Sequence, residues 1–253
     1  MIKIKDLCKK FGNNVVLQNL NLEVKQGEIL VILGRSGVGK SVLLKHIIGI
    51  EKPDSGFVEI DGVNISALPP GDLYHYIKNM GMLFQGAALF DSMNLEANTS
   101  FYLNHNEDPI LKRKLNKKEI KEKVANALKM VGLEGLEEKM PSSLSGGMKK
   151  RAALARLIAY RPKILLYDEP TTGLDPITSH QINELIIKTQ NELNGTSIIV
   201  THDIHSAWYI ADRLAMHREG KIIYTETPEV FIKIDDPDIA YLRKTLTNFE
   251  RGR

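Results

Sequence analysis

Two glycine-containing stretches of this sequence have the residue types and the spacing of phosphate-binding loops. The first, GRSGVGKS, spans Gly34–Ser41 and matches G-x-x-x-x-G-K-[ST], in which glycine lets backbone amides wrap phosphate groups. In that pattern the lysine, Lys40, reaches the β- and γ-phosphates, and the hydroxyl of Ser41 ligates Mg²⁺. The second, LSGGMKKRAALA, spans Leu144–Ala155 and sets a serine and two glycines before a helical pattern, whose N-terminal dipole favours an anion. The function must account for both loops.

An acidic pair, Asp168 and Glu169, follows the apolar residues of ILLYDEP and therefore stands at the end of a predicted strand. Ligands of open α/β sheets bind at the carboxyl ends of the strands. We expect Asp168 to hold Mg²⁺ and Glu169 to polarise the attacking water. His202 ends another predicted strand, TSIIVTHD, where a histidine is either structural or a hydrogen-bond partner of a γ-phosphate.

The elements that must position these residues are predicted from hydrophobic patterning. MIKIKDL and LQNLNLEV alternate like strands of an antiparallel sheet, and SGFVEIDGVNI indicates a hairpin. GEILVILG, KILLYDEP and TSIIVTHD are apolar runs typical of buried strands, and a helical pattern follows each of them. Residues from about 86 to 160 are mostly helical in pattern. Strand and helix alternation on both sides of this middle segment predicts a parallel α/β sheet with a helical insertion.

Composition bounds the classes of function. The chain has 253 residues, a net charge of +3 and a single cysteine, Cys8. This charge is too small to argue for nucleic acid, and one cysteine allows no intrachain disulfide, which fits a reducing compartment. The N-terminal residues lack the apolar core of a signal peptide, and no apolar run approaches the ~18 residues of a membrane span. We therefore expect a cytoplasmic protein that binds no nucleic acid.

The order and spacing of six short motifs resemble the nucleotide-binding subunit of an ABC transporter over essentially the whole chain. They are the phosphate loop GRSGVGKS, the Q-loop LFQ, the signature LSGGM, the Walker B stretch ILLYDEP, the D-loop GLD and the H-loop THD. The resemblance implies an α/β P-loop NTPase (RecA-like) core with an N-terminal antiparallel β subdomain and an inserted helical subdomain. It implies ATP and Mg²⁺ as cofactors and ATP hydrolysis as the activity.

The resemblance also assigns residues to roles, each taken from the motif that matches. Catalysis falls to Glu169, His202 and Gln85, and Mg²⁺ would be held by Ser41, Gln85 and Asp168. Phe11 stands where the family stacks an aromatic ring on adenine, and a phenylalanine offers that π-face. The remaining nucleotide-binding positions are Gly34, Arg35, Ser36, Gly37, Val38, Gly39, Lys40, Ser41, Ser145, Gly146, Gly147 and Asp175.

The predicted organisation is a single domain over residues 1–253. Residues 1–85 would form the β subdomain and the first part of the core, and residues 86–160 the helical subdomain with the signature. Residues 161–227 would form the second part of the core, and 228–253 a helical tail with a basic tip.

The resemblance implies partners as well. In the family two subunits pair head to tail, and each ATP lies between the phosphate loop of one and the LSGG of the other, which accounts for two loops on one chain. The stretch GAALFDS after the Q-loop resembles the ATPase of Mla/MCE-type lipid transport systems. That finer resemblance implies a second copy of this chain, an integral membrane permease and an MCE-type lipid-binding protein as partners. The chain would then be peripheral on the cytoplasmic face of the inner membrane.

Other functions compete with lipid transport. The chain could serve an ABC transporter for another substrate, or a non-transport ABC ATPase such as a cluster-assembly factor, whose length is similar. DNA-repair types carry long coiled coils and translation types carry two cassettes, and this sequence has neither. A kinase that used the phosphate loop alone would leave LSGG unexplained.

Two polar stretches have structural explanations. The basic segment 111–123, LKRKLNKKEIKEK, is expected to be a solvated helical face rather than a lipid contact. Within it, Asn116–Glu119 (NKKE) resembles the guanine-reading N-K-x-D, but it ends in glutamate and lies in the helical insertion. The sequence therefore does not predict GTP specificity.

Overall fold

Strands and helices alternate along most of the chain. The computed structural model describes residues 2–251; Met1 and the last two residues of the predicted basic tip lie outside this range. The strands are β1 (Ile2–Phe11), β2 (Asn14–Val24), β3 (Ile29–Leu33), β4 (Ser55–Ile60), β5 (Val63–Asn64), β6 (Met80–Leu83), β7 (Ile164–Asp168), β8 (Thr196–Thr201), β9 (Arg213–Arg218) and β10 (Lys221–Glu226). The helices are α1 (Lys40–Ile47), α2 (Pro70–Ile77), α3 (Leu95–His105), α4 (Lys117–Met130), α5 (Gly146–Tyr160), α6 (Pro176–Leu193), α7 (Ile204–Ile210), α8 (Pro228–Phe231) and α9 (Pro237–Arg251). The chain forms two units, one made of the residues up to Ile77 and those from Thr196 onward, the other of Lys78–Gly195.

The first unit contains the predicted antiparallel sheet, in the order β2-β1-β4-β5. Along β2 the apolar side chains of Leu20, Leu22 and Val24 are buried while the residues between them are exposed, which is the period-two pattern of a strand with one face on the core. The register pairs Ile2 with Val24 on one side and with Ile60 on the other. The predictions of an antiparallel sheet and of a β4–β5 hairpin are confirmed.

A second sheet of this unit has strands in the order β10-β9-β3-β8. All five residues of β3 are buried, and the strand pairs in parallel with both β8 and β9. A strand with parallel neighbours on both sides is covered on both faces, so it reads as a continuous apolar run. Because β3 leads directly into the glycine loop, the buried run fixes where that loop emerges from the sheet.

The second unit, Lys78–Gly195, is built around the signature helix. Helix α5 packs against α3, α4 and α6, and β6 pairs in parallel with β7. At the end of α5, the ring of Tyr160 stacks on Tyr102 with centroids 4.2 Å apart, and its hydroxyl donates to the Met80 carbonyl at 3.0 Å. A Cβ on Gly81 would lie 2.8 Å from that hydroxyl, so β6 needs glycine there. The predicted helical middle is confirmed as helices α3, α4 and α5, while the subdomain boundaries at residues 85, 160 and 227 stay a prediction.

The basic segment 111–123 is mostly exposed, as expected, but only its residues from Lys117 onward are helical. Helix α4 begins only at Lys117, because Asn116 and Glu119 form a capping box in which each side chain binds the other residue's backbone amide. The stretch resembling N-K-x-D is therefore a helix start. At the end of the segment, the Lys123 ammonium lies 2.9 Å from the carboxylate of Asp108, which is 1% exposed. The positive charge of Lys123 thus stabilises the turn at Asp108 that precedes α4.

A membrane-spanning helix and a metal-ligand cluster are both absent from the part of the chain that the structure describes. Over residues 2–251, no helix has the length and apolar character needed to cross a lipid bilayer. Over the same residues, no three side chains of the His, Cys, Asp and Glu types come together as a metal-ligand group.

Candidate functional site

The loop Gly34–Ser41 joins a buried strand to a helix in the first unit. It leaves the carboxyl end of β3, which is the end of a parallel strand where ligands bind. Gly37 and Gly39 have φ angles of 81° and 103°, in the left-handed region that glycine adopts without strain. Residues 35–37 are exposed, and Val38 is partly exposed. The loop therefore offers an accessible backbone at a helix N-terminus.

Lys40 lies beneath this loop and is only 4% exposed. Its ammonium donates to the carbonyl oxygens of Gly34 at 2.6 Å and Arg35 at 3.0 Å. Both of these acceptors belong to the loop itself, and an anionic ligand in the loop can replace these carbonyls as partners of the ammonium. The guanidinium of Arg35 points elsewhere: it is largely exposed and lies 3.2 Å from the carboxylate of Asp238 at the start of α9.

His217, on β9, supports the same loop and was missed by the sequence analysis. A Cβ on Gly34 would lie 2.7 Å from the His217 carbonyl oxygen, so glycine allows this close approach. The imidazole is 1% exposed, and among the described residues neither ring nitrogen has a hydrogen-bond partner. Burial, and to a smaller extent the charge of Lys40, lowers the pKa of His217 to about 4. The ring is therefore neutral near pH 7.

Two more predicted site residues lie in the first unit. His202 is exposed immediately after β8, and the next residue, Asp203, caps helix α7 by accepting from the His205 and Ser206 amides. Phe11 ends β1 and is 47% exposed, with the Lys9 ammonium 5.2 Å from the centre of its ring. The exposed ring is available for stacking, as its predicted role requires.

The acidic pair lies in the second unit at the end of β7, as the sequence predicts. Asp168 and Glu169 are each 7% exposed. Glu169 has a φ of 49°, which is uncommon for a residue with a side chain. The Thr172 hydroxyl donates to Glu169 Oε2 at 3.0 Å, and the Thr172 amide donates to the Glu169 carbonyl at 3.3 Å. The left-handed backbone of Glu169 and the hydrogen bond from Thr172 to its carboxylate together hold this side chain in one orientation.

The signature residues Ser145–Gly147 form the start of helix α5. Ser145 is the N-cap and accepts from the Met148 amide at 3.3 Å, and both Ser145 and Gly146 are exposed. The accessible N-terminus suits an anion. Gly147 is buried, and a Cβ there would lie 2.6 Å from the methyl group of Thr178 on α6.

Asp175, the predicted D-loop residue, is the N-cap of α6. Its carboxylate accepts from the hydroxyl of Thr178 at 2.6 Å and from the amides of Ile177 and Thr178 at 3.1 and 3.0 Å. These hydrogen bonds, the one from the Thr178 hydroxyl first, lower the pKa of Asp175. The carboxylate is thus occupied in fixing the first turn of the helix that adjoins the signature.

Gln85 follows β6, and its side chain is exposed. The next stretch is irregular, with φ angles of 64° at Ala87 and 48° at Ala88. The guanidinium of Arg156, on α5, donates to the carbonyls of Ala88 at 2.7 Å and Ala87 at 3.3 Å. The buried ammonium of Lys150, also on α5, donates to the Gln85 carbonyl at 2.5 Å and to the Glu169 carbonyl at 3.3 Å.

The structure therefore groups the predicted residues by unit. The phosphate loop, Phe11 and His202 belong to the first unit, and Gln85, the acidic pair, the signature and Asp175 belong to the second. Within the second unit, Lys150 joins the Q-loop backbone to the Walker B backbone. Lys150 is not among the predicted residues, although a signal exists in the sequence. Positions 153, 154 and 157 of the same helical stripe are apolar, so a charge at position 150 needs an explanation.

Comparison with known proteins identifies the family. The ABC transporter family model matches residues 17–172, which is more than half of the chain. A probable ribonucleotide transport ATP-binding protein, mkl of Mycobacterium leprae, is 39% identical over 93% of this chain and 66% of its own length. The intermembrane phospholipid transport system ATP-binding protein MlaF of Haemophilus influenzae is 41% identical over 96% of this chain and 90% of its own length. The chain spans 64–66% of the length of the mycobacterial relatives.

A relative named for another substrate and a solved structure complete the comparison. The methionine import ATP-binding protein MetN of Clostridium tetani is 40% identical over 92% of this chain and 71% of its own length. A dimeric ATP-binding cassette, solved in a post-hydrolysis state with ADP and Pi, superposes with a TM-score of 0.79 at 33% identity over 90% of this chain and 99% of that one. The predicted cassette fold is confirmed, and the chain belongs to the ABC transporter family.

Proposed function

We propose that this chain is the ATP-binding and ATP-hydrolysing subunit of an ABC transporter, and that two copies pair head to tail around two ATP molecules. The observation that carries the proposal is the presence of two accessible anion-directed helix starts in different units, Gly34–Ser41 and Ser145–Gly147. In the pair, each ATP contacts the first loop of one copy and the second loop of the other. The related cassette is dimeric in its post-hydrolysis state, which supports the pairing of two copies.

Each predicted residue then has a role that fits its environment. Backbone amides from Gly34 to Ser41 bind the phosphates, and Lys40 exchanges its carbonyl partners for phosphate oxygens. Glu169 polarises the attacking water, and His202 hydrogen-bonds the γ-phosphate. Phe11 stacks on adenine, while Asp175 sets the helix start that adjoins the signature of its own chain. The reaction transfers the γ-phosphoryl group of ATP to water.

The residues proposed to hold Mg²⁺ fit that ion in their chemistry. Ser41, Gln85 and Asp168 supply a hydroxyl, an amide oxygen and a carboxylate, the hard oxygen ligands that Mg²⁺ takes together with phosphates and water. A bound Mg²⁺ supplies charge neutralisation at the β- and γ-phosphates.

For the cargo, we propose phospholipid or a related lipid moved between membranes, with an integral permease and an MCE-type lipid-binding protein as partners. The stretch GAALFDS and the similarity to MlaF along most of both chains support this cargo. The chain then works at the cytoplasmic face of the inner membrane. Import of another substrate is the second candidate, because MetN is similar to nearly the same degree.

The segment from Gln85 to Asn98 is the proposed contact with the permease. Its apolar residues divide into two sets: Ala87 is buried, whereas Leu89 and Met93 are partly exposed and Phe90 is 40% exposed. The apolar surface that this segment offers to a partner is therefore formed by Leu89, Phe90 and Met93.

The shape of this segment is fixed from within the second unit. The fully buried amide of Asn98 accepts from the Phe90 amide at 2.8 Å and donates to the carbonyls of Phe90, Met93 and Asn94 at 2.8–3.1 Å. A segment held in one conformation that presents apolar side chains suits a groove for a short partner helix.

Leu89→Glu tests the proposed coupling. A carboxylate in the apolar surface should abolish co-purification of the permease and lipid transfer between reconstituted vesicles, while ATP binding by the isolated chain stays near normal. Ile110→Glu is the matched control, because Ile110 is 63% exposed in the same unit and lies outside the segment. A folded Leu89→Glu chain that still binds the permease and moves lipid at the normal rate contradicts the docking model. Transfer of a different solute by the unsubstituted complex contradicts the lipid cargo alone.

A further inference from the structure

Lys150 is a buried cation whose side chain connects two backbone segments far apart in sequence. It is 5% exposed, and its ammonium reaches the Gln85 carbonyl, 65 residues earlier, and the Glu169 carbonyl, 19 residues later. Hydrogen bonds from a charged donor are about twice as strong as those between neutral groups, and more so where water is excluded. One side chain therefore fixes the distance between the Q-loop backbone and the Walker B backbone.

Both connected segments have backbone conformations that need such support. Glu169 has a left-handed φ of 49°, and the residues that follow Gln85 include Ala87 and Ala88, with φ of 64° and 48°. A left-handed conformation costs about 1–2 kcal/mol for a residue with a Cβ. Two cations of α5 donate to these segments, Arg156 to Ala87 and Ala88 and Lys150 to Gln85 and Glu169. The helix thus holds the strained turns from one side.

Burial of the Lys150 ammonium also affects its pKa. Burial lowers the pKa of Lys150, and the carboxylates of Asp168 and Glu169 oppose this effect. Simple neutralisation of these carboxylates is a competing explanation for a lysine at this position. The two explanations differ in geometry: neutralisation needs only a positive charge, whereas the bridge needs donors that reach both carbonyls at once.

We propose that Lys150 is a positioning residue that ties the backbone at Gln85 to the backbone at Glu169, so that these two segments change conformation together. The inference rests on the proposed roles of Gln85 and Glu169 in the ATP site. It makes the N-terminal turn of the signature helix part of the same rigid connection, since Lys150 lies on the second turn of α5. A shift of α5 then reaches the Q-loop and the water-polarising glutamate in one step.

The experiment compares Lys150→Met with Lys149→Met in the full-length chain. Methionine has nearly the length of lysine but no donor, and Lys149 is the neighbouring, partly exposed lysine of the same helix. In Lys150→Met we expect amide hydrogen exchange to accelerate together in the peptides covering residues 84–88 and 168–172. We expect kcat for ATP hydrolysis to fall about tenfold to a hundredfold, with KM for ATP changed less than about threefold, since a charged hydrogen bond contributes on that scale.

Further variants separate the bridge from its alternatives. Arg156→Met should accelerate exchange in residues 86–90 and leave residues 168–172 unchanged, because Arg156 donates to the carbonyls of Ala87 and Ala88. Lys150→Arg keeps the charge and donors of another length, so it should recover part of kcat while exchange in both peptides shifts in the same direction. If Lys150→Met does not fold, this joint shift in Lys150→Arg carries the test.

Three results overturn the proposal. The first is a folded Lys150→Met chain with normal kcat and normal exchange. The second is acceleration confined to one of the two peptides. The third is full recovery of kcat by Lys150→Arg with exchange unlike that of the unsubstituted chain, which favours neutralisation. The exchange result does not depend on the chemical role of Glu169; if Glu169→Gln keeps normal hydrolysis, the proposed role of Glu169 fails while the bridge can still be judged.

Discussion

Lys40 and Lys150 are both buried lysines whose ammonium groups donate to two backbone carbonyls, and they belong to different units of the chain. These two carbonyl partners of Lys40 are five and six residues away, within its own loop. The partners of Lys150 are 65 and 19 residues away, on two separate segments. Identical chemistry therefore produces a local contact in one unit and a long-range connection in the other.

This difference in sequence separation determines what each of the two contacts can do. A lysine that donates to carbonyls of its own loop can exchange these two contacts for an incoming phosphate without moving a segment distant in sequence. A lysine that connects two strained segments cannot change partner without moving both. The first arrangement suits ligand binding, and the second suits the transmission of a conformational change.

The largest expected effect comes from the pair Glu169→Gln and Lys40→Met. Glutamine keeps the shape of Glu169 but lacks the carboxylate that polarises water, so hydrolysis should fall by roughly 10²–10⁴ while ATP binding is retained. Lys40→Met should remove binding and hydrolysis together. Equilibrium binding of a fluorescent ATP analogue and steady-state phosphate release measure the two quantities. Normal turnover by Glu169→Gln removes this residue from its role.

A second prediction concerns acid stability of the first unit. His217 has a folded-state pKa of about 4 and an ordinary value of 6.5, so between these pH values the unfolded chain binds more protons than the folded chain. The stability that a neutral His217 allows is fully present above pH 6.5 and is lost as pH falls toward 4, by about 3 kcal/mol. His217→Leu should lack this part of the acid loss.

Urea unfolding at pH 7 and pH 4 measures the difference for each chain. His75→Leu is the control, because His75 is exposed and its removal should leave the acid loss intact. Equal acid loss in His217→Leu and the unsubstituted chain would mean that the buried imidazole does not weaken the phosphate-loop unit.

The smallest effect is expected at Asn116 in the second unit. Asn116→Ala removes the side chain that accepts from the Glu119 amide, so the free energy of unfolding should fall by about 1 kcal/mol. The preference for ATP over GTP should not change, since the residue is a helix cap. Competition binding with both nucleotides and urea unfolding check the two parts, with Lys117→Ala as the matched change one residue later. A shift in nucleotide preference would restore the guanine-reading interpretation.

The elements and loops that the sequence predicts are those whose conformation is determined by residues close together in the sequence. The apolar run of β3 and the glycines of Gly34–Ser41 encode the strand, the turn and the helix start within a few residues. Helix α2 and strands β6, β9 and β10 were missed. In β6 the sequence MGML has no β-branched residue to indicate a strand. Its glycine is required by the close approach of Tyr160, which lies 79 positions later.

The missed site residues have the same explanation. Lys150, Arg156 and His217 act on segments that only the folded chain brings near them. The β9–β10 hairpin left one local signal, the turn residues Glu219 and Gly220 with φ of 50° and 75°. A Cβ on Gly220 would lie 2.8 Å from the Val16 carbonyl, so that glycine also serves a distant strand.

The contact of Gly147 with Thr178 bears on how loss-of-function variants of this chain are interpreted. The Thr178 methyl group lies where a Cβ on Gly147 would be, and it cannot rotate away without breaking the bond from its own hydroxyl to Asp175. A side chain at position 147 would therefore displace the start of α6 and with it the Asp175 cap. In a genetic screen, such an allele would look like a defect in nucleotide contact. The primary defect would instead be the displaced start of α6. A second-site change that removes the methyl group of Thr178 but keeps its hydroxyl, Thr178→Ser, is the suppressor to look for.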